Sequence, residues 1–246
     1  MKLLKIIISG GILLSLVTLF VINLYSMEYK FIQNEKDRNE ITKMLKELKN
    51  NVTLFVFTKQ KDCQYCDLAL QISKEISSLS KKIKYKRYDI DKSKSIANRY
   101  NIKDAPSIAV VGKKDYGIRF LGIPVGYEFY SLIESIKLAS NNETFIKGEN
   151  KEKIKKINSK IDIDVFITPK CPYCPRAVVT SFNIAFLNDN ITARMIEAYE
   201  FPELTQTNNV SSVPKIIIKK GDKKVEFVGA LPEKQFIQKV LSILSQ

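Results

Sequence analysis

Cys63-Gln64-Tyr65-Cys66 and Cys171-Pro172-Tyr173-Cys174 hold all four cysteines of the 246-residue chain, and the spacing between them decides the fold. The first cysteines of the two pairs lie 108 residues apart, and so do Pro106 and Pro214, each 43 residues after its Cys. Each proline leads into a short apolar run, Ser107–Val111 and Lys215–Ile218. Each run is followed by a second one that ends on glycine, Ile118–Gly122 and Val225–Gly229. One register without insertions across this span means a duplicated unit, and a period this long is not that of a solenoid.

Periodicity predicts the same element order in both copies. In the first, Glu35–Lys49 is an amphipathic helix with Ile41, Leu45 and Leu48 on one face. Val52–Thr58 is a strand, and Cys63 opens a helix to Leu79. Ile83–Asp89 alternates as a strand, Ser93–Tyr100 is a short helix, and two strands and a helix over Tyr127–Ala139 close the copy. The second copy runs through a helix at 151–160, strand Ile163–Thr168, helix Cys171–Leu187, strand Ile191–Glu197, a short helix at 203–208, two strands and helix Pro232–Leu244. The polar stretch Asn141–Asn150 separates them. Strands alternating with helices, then a hairpin, predict an α/β fold with helices on both faces of each sheet.

The chain has no histidine, which excludes His-based nucleophile systems, His-ligated metals and His pH switches. For the cysteine pairs, a zinc ribbon needs two pairs some 15–20 residues apart, whereas here each pair has its own domain. A structural bridge across three residues constrains the unfolded chain by only about 2 kcal/mol. Dithiol exchange fits better. A cysteine at a helix N-terminus meets unpaired backbone N–H groups that favour its thiolate, and a second, three residues on, can resolve a mixed disulfide. Local charge differs between the pairs: Cys63 is bracketed by Asp62 and Asp67, with Lys59 and Lys61 upstream, whereas Cys171 has Lys170 beside it and Arg176 in the first helical turn.

From about Met27 onward the chain resembles the protein disulfide oxidoreductases of thermophilic archaea and bacteria, also called glutaredoxin-like. The resemblance rests on KDCQYCD (Lys61–Asp67), APS (Ala105–Ser107), TPKCPYCP (Thr168–Pro175), VPKIII (Val213–Ile218) and VGALPEK (Val228–Lys234). It implies two tandem thioredoxin-like domains, 28–144 and 145–246, each a central mixed sheet flanked by helices. It also implies an enzyme that reduces, forms or isomerises protein disulfides. Cys63, Cys66, Cys171 and Cys174 are the expected catalytic residues. Tyr65, Ala105 and Pro106 in the first copy, and Tyr173, Val213 and Pro214 in the second, are the expected substrate-binding residues, with cis peptide bonds before both prolines. No metal or cofactor is expected beyond the redox-active disulfides Cys63–Cys66 and Cys171–Cys174. The partners implied are protein dithiol and disulfide substrates and a thioredoxin-reductase-like or membrane redox protein. Thioredoxins carry a buried carboxylate six residues before the first cysteine. Phe57 and Val165 stand there in this chain, leaving water to accept protons from the resolving thiols. Gly229 is followed by Ala230-Leu231-Pro232, where glutaredoxins have an Asp for glutathione. The alternative function is a non-enzymatic chaperone or binding module for unfolded, cysteine-containing chains.

Residues 1–27 are of another kind. Lys2 and Lys5 precede an uncharged run from Ile6 to Tyr25, long enough as a helix to span a bilayer. An N-terminal membrane helix with the catalytic domains outside the cytoplasm is expected. The alternatives are a cleaved signal peptide and translation from Met27, which would leave a cytosolic protein. The net charge of +14 comes without a nucleic-acid-binding motif, so no nucleic-acid partner is expected.

Overall fold

Phe55 and Phe57 point to one face of their strand, and Leu54 and Val56 to the other, where they are buried. Apolar residues on both faces make this an interior strand. The computed structural model describes residues 30–245, so the proposed membrane segment lies outside the described residues. Among the described residues no helix is long and apolar enough to cross a membrane. The first copy comprises α1 (Glu35–Leu45), β1 (Val52–Thr58), α2 (Cys66–Ser78), β2 (Ile83–Asp89), α3 (Lys94–Arg99), β3 (Ser107–Val111), β4 (Asp115–Leu121) and α4 (Glu128–Asn141). The second comprises α5 (Gly148–Lys155), β5 (Ile161–Ile167), α6 (Cys174–Phe186), β6 (Ile191–Glu197), α7 (Pro202–Thr207), β7 (Lys215–Lys220), β8 (Lys223–Val228) and α8 (Glu233–Ser242).

The predicted element order holds throughout, and β1, β2 and β6 have the bounds that their patterns predict. Both long helices start later than expected, at the second cysteine. The turn explains this: the N–H of Cys66 reaches the carbonyl of Cys63 at 3.4 Å, and that of Cys174 reaches Cys171 at 3.4 Å. The first cysteine of each pair therefore stands ahead of the helix.

Each copy has one parallel and two antiparallel pairings, β1 with β2, β1 with β3 and β3 with β4, repeated as β5 with β6, β5 with β7 and β7 with β8. The two sets join into one eight-stranded sheet of order β2-β1-β3-β4-β6-β5-β7-β8. The seam is the parallel pairing of β4 with β6, from Ile118 opposite Ala193 to Leu121 opposite Ile196. Apolar packing covers it. Leu121, Phe166, Ile196 and Ile217 form one buried cluster drawn from both copies. On α6, Phe182 meets Phe120 edge to face at 5.1 Å, and Phe186 lies 4.6 Å from the ring of Tyr116.

The two arginines at the seam are paired, as burial requires. Arg119 and Arg194 stand opposite one another in the register. Arg119 makes a two-pronged pair with Asp115 at 2.7 and 2.6 Å. Arg194 pairs likewise with buried Asp164 at 2.6 and 2.9 Å. The segment between the copies is fastened by buried Thr144, whose hydroxyl hydrogen-bonds to Asn183 of α6 at 2.9 Å.

Gly117 permits the seam. Its φ is +72°, and a Cβ there would collide with the carbonyl oxygen of Ile191 in β6. Gly117→Ala should cost about 2 kcal/mol or more in urea unfolding, through both the left-handed backbone and the clash.

Candidate active sites at two disulfides

Both cysteine pairs are joined as disulfides, with Cα–Cα separations of 5.5 Å. Each lies between the end of a strand, β1 or β5, and a 13-residue helix, α2 or α6. The second cysteine of each pair is the more deeply buried: Cys66 is 4% exposed and Cys174 is 0% exposed. Backbone N–H of Lys59 points at the Cys66 sulfur at 3.4 Å. Cys63 is half-buried, whereas Cys171 is buried at 8% exposure.

The bonds before Pro106 and Pro214 are both cis. The carbonyl of Pro106 accepts from Gly122 N–H at 2.9 Å, and that of Pro214 accepts from Gly229 N–H at 2.8 Å. Thus the loop before the third strand and the glycine after the fourth are tied together in the same way in both copies.

The surroundings of the pairs differ. Cys63, Tyr65, Ala105 and Pro106 line one cleft of about 630 Å³ with Asp62 and Glu200. Four of the residues expected from sequence therefore meet in one place, and Glu200 enters from the other copy. In the second copy a groove of about 410 Å³ beside the pair is lined by Pro172, Pro175 and Arg176, and by Tyr127, Tyr130 and Phe145 from the start of α4 and the connecting segment; neither Cys171 nor Cys174 lines it. Val213 and Pro214 do not line this groove, and Tyr173 is 71% exposed to solvent. Among the described residues no cluster of three or more acidic or cysteine side chains could hold a metal ion.

Three carboxyls escaped sequence reasoning: Glu128 and Glu197 are buried and Glu200 is half-buried. Glu128 opens α4, where its neighbour Tyr127 donates its N–H to the Pro169 carbonyl, two residues before Cys171, at 3.1 Å. Its Oε2 accepts the Ser131 hydroxyl at 2.5 Å, and its Oε1 is buried without a hydrogen-bond partner among the described residues. Burial pushes its pKa up to about 7 against the pull of Ser131. Glu197, 2% exposed, accepts the N–H of Glu200 at 2.7 Å, and burial raises its pKa. Glu200 accepts the N–H of Ile123 at 2.9 Å, and burial, opposed by that bond and aided by Glu197, raises its pKa to about 7. Glu200 lies far in sequence from Cys63, with which it shares a cleft, and no local pattern marks it.

A disulfide between a strand and a helix in each of two units, beside a cis-proline loop, defines a tandem thioredoxin-fold protein. The Thioredoxin domain family matches residues 161–242, and the F plasmid transfer operon protein family matches residues 26–137. Among solved structures, a protein disulfide oxidoreductase from Aeropyrum pernix is 30% identical with a TM-score of 0.77, over 84% of this chain and 91% of that one. The NTD N/C domain of the alkylhydroperoxide reductase AhpF from Enterococcus faecalis is 25% identical with a TM-score of 0.77, over 85% of this chain and 99% of that one. A Bacillus subtilis protein named NADH dehydrogenase is 26% identical over 179 residues, which is 73% of this chain and 33% of that protein. The chain spans a third or less of the length of the first curated relatives it matches. It belongs to the protein disulfide oxidoreductases built of two tandem thioredoxin-fold units.

Glu128 titrates higher in the folded chain than in the unfolded one. Its contribution to stability is therefore complete below about pH 4.5 and is lost as pH rises through about 7. Glu128→Gln should remove up to about 3 kcal/mol of the decline between pH 5 and pH 8. The measurement is urea unfolding of the oxidised protein at both pH values. The remaining slope, of the same sign, belongs to Glu197 and Glu200.

Proposed function

We propose that this protein reduces, forms or isomerises disulfides in protein substrates, with Cys63 and Cys171 as attacking sulfurs and Cys66 and Cys174 as resolving ones. The observation that carries the reading is the difference in exposure within the first pair: Cys63 opens on a cleft large enough for an extended peptide segment, while Cys66 is buried behind it. In the reducing direction the thiolate of the first cysteine attacks a substrate disulfide. A bond forms between the two sulfurs, and the substrate's other sulfur leaves. The second cysteine then attacks the first, closes the C-x-x-C disulfide and releases the substrate as a dithiol; two electrons have passed to it. Ala105 and Pro106, which line the cleft, and Val213 and Pro214 in the second copy would hold the substrate backbone in extended form. Tyr65 would do so from the cleft wall, and exposed Tyr173 would offer an aromatic surface.

The chain is read as domain 1 at 28–144 and domain 2 at 145–246, each with its own dithiol. Regeneration would come from a reductase of the thioredoxin-reductase-like class or from a membrane redox protein. Two of the curated relatives carry the names NADH dehydrogenase and alkyl hydroperoxide reductase, and these support a reductase as the electron source.

Acceleration of insulin reduction by dithiothreitol tests the enzyme reading. The wild type should accelerate it, and the Cys63→Ser/Cys171→Ser double variant should lose the effect at least 100-fold. In addition, Cys66→Ser and Cys174→Ser should accumulate mixed disulfides with substrate that Cys63→Ser and Cys171→Ser do not. The reverse trapping pattern would overturn the assignment of roles.

Residues 1–27 would anchor the enzyme in a membrane with both domains outside the cytoplasm, a reading supported by the uncharged run Ile6–Tyr25 after Lys2 and Lys5. The anchored protein should stay with membranes through a carbonate wash. A soluble product that begins near Met27 would sink this placement.

A further inference from the structure

We propose that the aromatic groove beside Pro172 is the substrate subsite of the second dithiol, and that it takes an extended segment carrying an aromatic side chain and a carboxylate. The proposal names a substrate class for the dithiol reading above and rests on it.

The two walls of the groove come from different copies. Pro172, the residue bonded to Cys171, and Arg176 and Val179 of α6 form one wall. Tyr127 and Tyr130 at the start of α4, with Phe145 of the connecting segment, form the other. The walls are fastened to each other. Tyr127 donates its N–H to the carbonyl of Pro169 at 3.1 Å, and Gly126 packs so closely on Pro169 that a Cβ there would clash. The N–H of Phe145 reaches the Asn183 side chain of α6 at 3.3 Å. A groove held open in this way needs no ordering of its walls on binding.

The lining gathers aromatic faces in one concave place. Tyr127, Tyr130 and Phe145 each expose about half of their surface, and they are three of the nine large apolar side chains exposed among the described residues. Single exposed rings are ordinary; a cluster of them marks a binding surface. At about 410 Å³ the groove is of ligand size, so it seats a few side chains and not a folded surface. The charge that lines it is the guanidinium of Arg176, which is exposed and makes no ion pair or side-chain hydrogen bond among the described residues. Exposed Lys170 precedes Cys171 and likewise has no ion pair among the described residues. On the α4 wall, Glu134 acts on Tyr130 but is paired with Lys137 at 3.0 Å. Among the described residues no carboxylate lines the groove. An unpaired guanidinium fork beside aromatic faces fits a carboxylate next to an aromatic side chain.

The first dithiol has the opposite lining. Asp62 and Glu200 line the cleft at Cys63, and among the described residues no Lys or Arg does. An acidic segment is therefore drawn to the second dithiol and repelled at the first. Pro172 stands between the two cysteines in sequence, so a segment lying in the groove starts beside the disulfide. The thiolate of Cys171 attacks the disulfide carried by that segment; the bond between the two sulfurs forms, the substrate S–S bond breaks, and the departing thiolate takes a proton from water. Cys174 then loses its proton to water, attacks Cys171 and releases the segment, with two electrons passed to the substrate.

The test uses the full chain in two forms, Cys63→Ser/Cys66→Ser, which keeps the second dithiol, and Cys171→Ser/Cys174→Ser, which keeps the first. Each form, reduced beforehand, reacts in single turnover with two peptide disulfides, one with Asp-Phe beside its cysteine and one with Lys-Phe. The form that keeps the second dithiol should favour the Asp-Phe peptide about tenfold in second-order rate, and Arg176→Glu should reverse the preference. Tyr130→Ala should slow both peptides and leave the preference in place. The form that keeps the first dithiol should not favour the Asp-Phe peptide. The chain has no Trp, so a thiol-free peptide with Asp-Trp reports its binding to the oxidised protein by its own fluorescence, and Arg176→Glu should abolish that binding. Equal rates for the two peptides, or a preference that Arg176→Glu does not move, would overturn the proposal. A dimer of the oxidised protein that Arg176→Glu dissociates would assign the groove to a second copy and overturn it too. Reduction of neither peptide, with the thiol-free peptide still bound, would overturn the dithiol reading of this pair and the subsite with it. Equal rates remove the subsite alone.

Discussion

The parallel pairing of β4 with β6 is the constraint on which the rest of the molecule depends. A four-stranded unit of this topology ends in a strand with a free edge, and here the edges of β4 and β6 satisfy one another. The price is a set of buried charges, since Arg119 and Arg194 stand side by side at the seam and each needs a carboxylate of its own. Removing either Asp115 or Asp164 would leave a guanidinium uncompensated in a poorly solvated place, which costs far more than an exposed ion pair contributes. Aromatic contacts from α6 to β4 close the opposite side.

Joining the copies in tandem, and not about a two-fold axis, makes the two dithiols unequal. The end of β6 lies against the first copy's Pro106 loop, and the start of α4 lies against the Pro169 turn ahead of Cys171. The second copy thus sends half-buried Glu200 to the backbone of Ile123 in the first, and the first copy sends the Tyr127 N–H to Pro169 in the second. The cleft at Cys63 is lined with polar and acidic groups, while the groove beside Pro172 is aromatic and carries Arg176.

Much of this is legible in the chain. The 108-residue register exposes the duplication, because cysteine and proline each occupy a position that tolerates no shift. Strands buried on both faces, such as Val52–Thr58, read as continuous apolar runs bounded by polar residues. Tyr65, Ala105 and Pro106 can be assigned to the neighbourhood of Cys63 because the order of elements within one copy fixes which loops meet at the end of β1. The cysteine helices begin three residues later than their pattern predicts, since a C-x-x-C turn and a first helical turn have the same spacing in sequence.

What sequence determined by itself was therefore whatever depends on periodicity and on contacts within one copy: the element order, the two dithiols and the proline loops beside them. Tertiary structure decided the rest. That the sheets merge and that Glu200 reaches the backbone of Ile123 in the other copy follow from the β4–β6 pairing. Strand pairing across a duplication leaves no periodic trace, because the edge strands of both copies carry the same apolar alternation whether they meet each other, a second chain or solvent-facing cover. A glutamate read in sequence is a surface residue by default. Only the fold shows that the Glu128 carboxyl is buried and partly unpaired, and that Glu200 lines the cleft at Cys63.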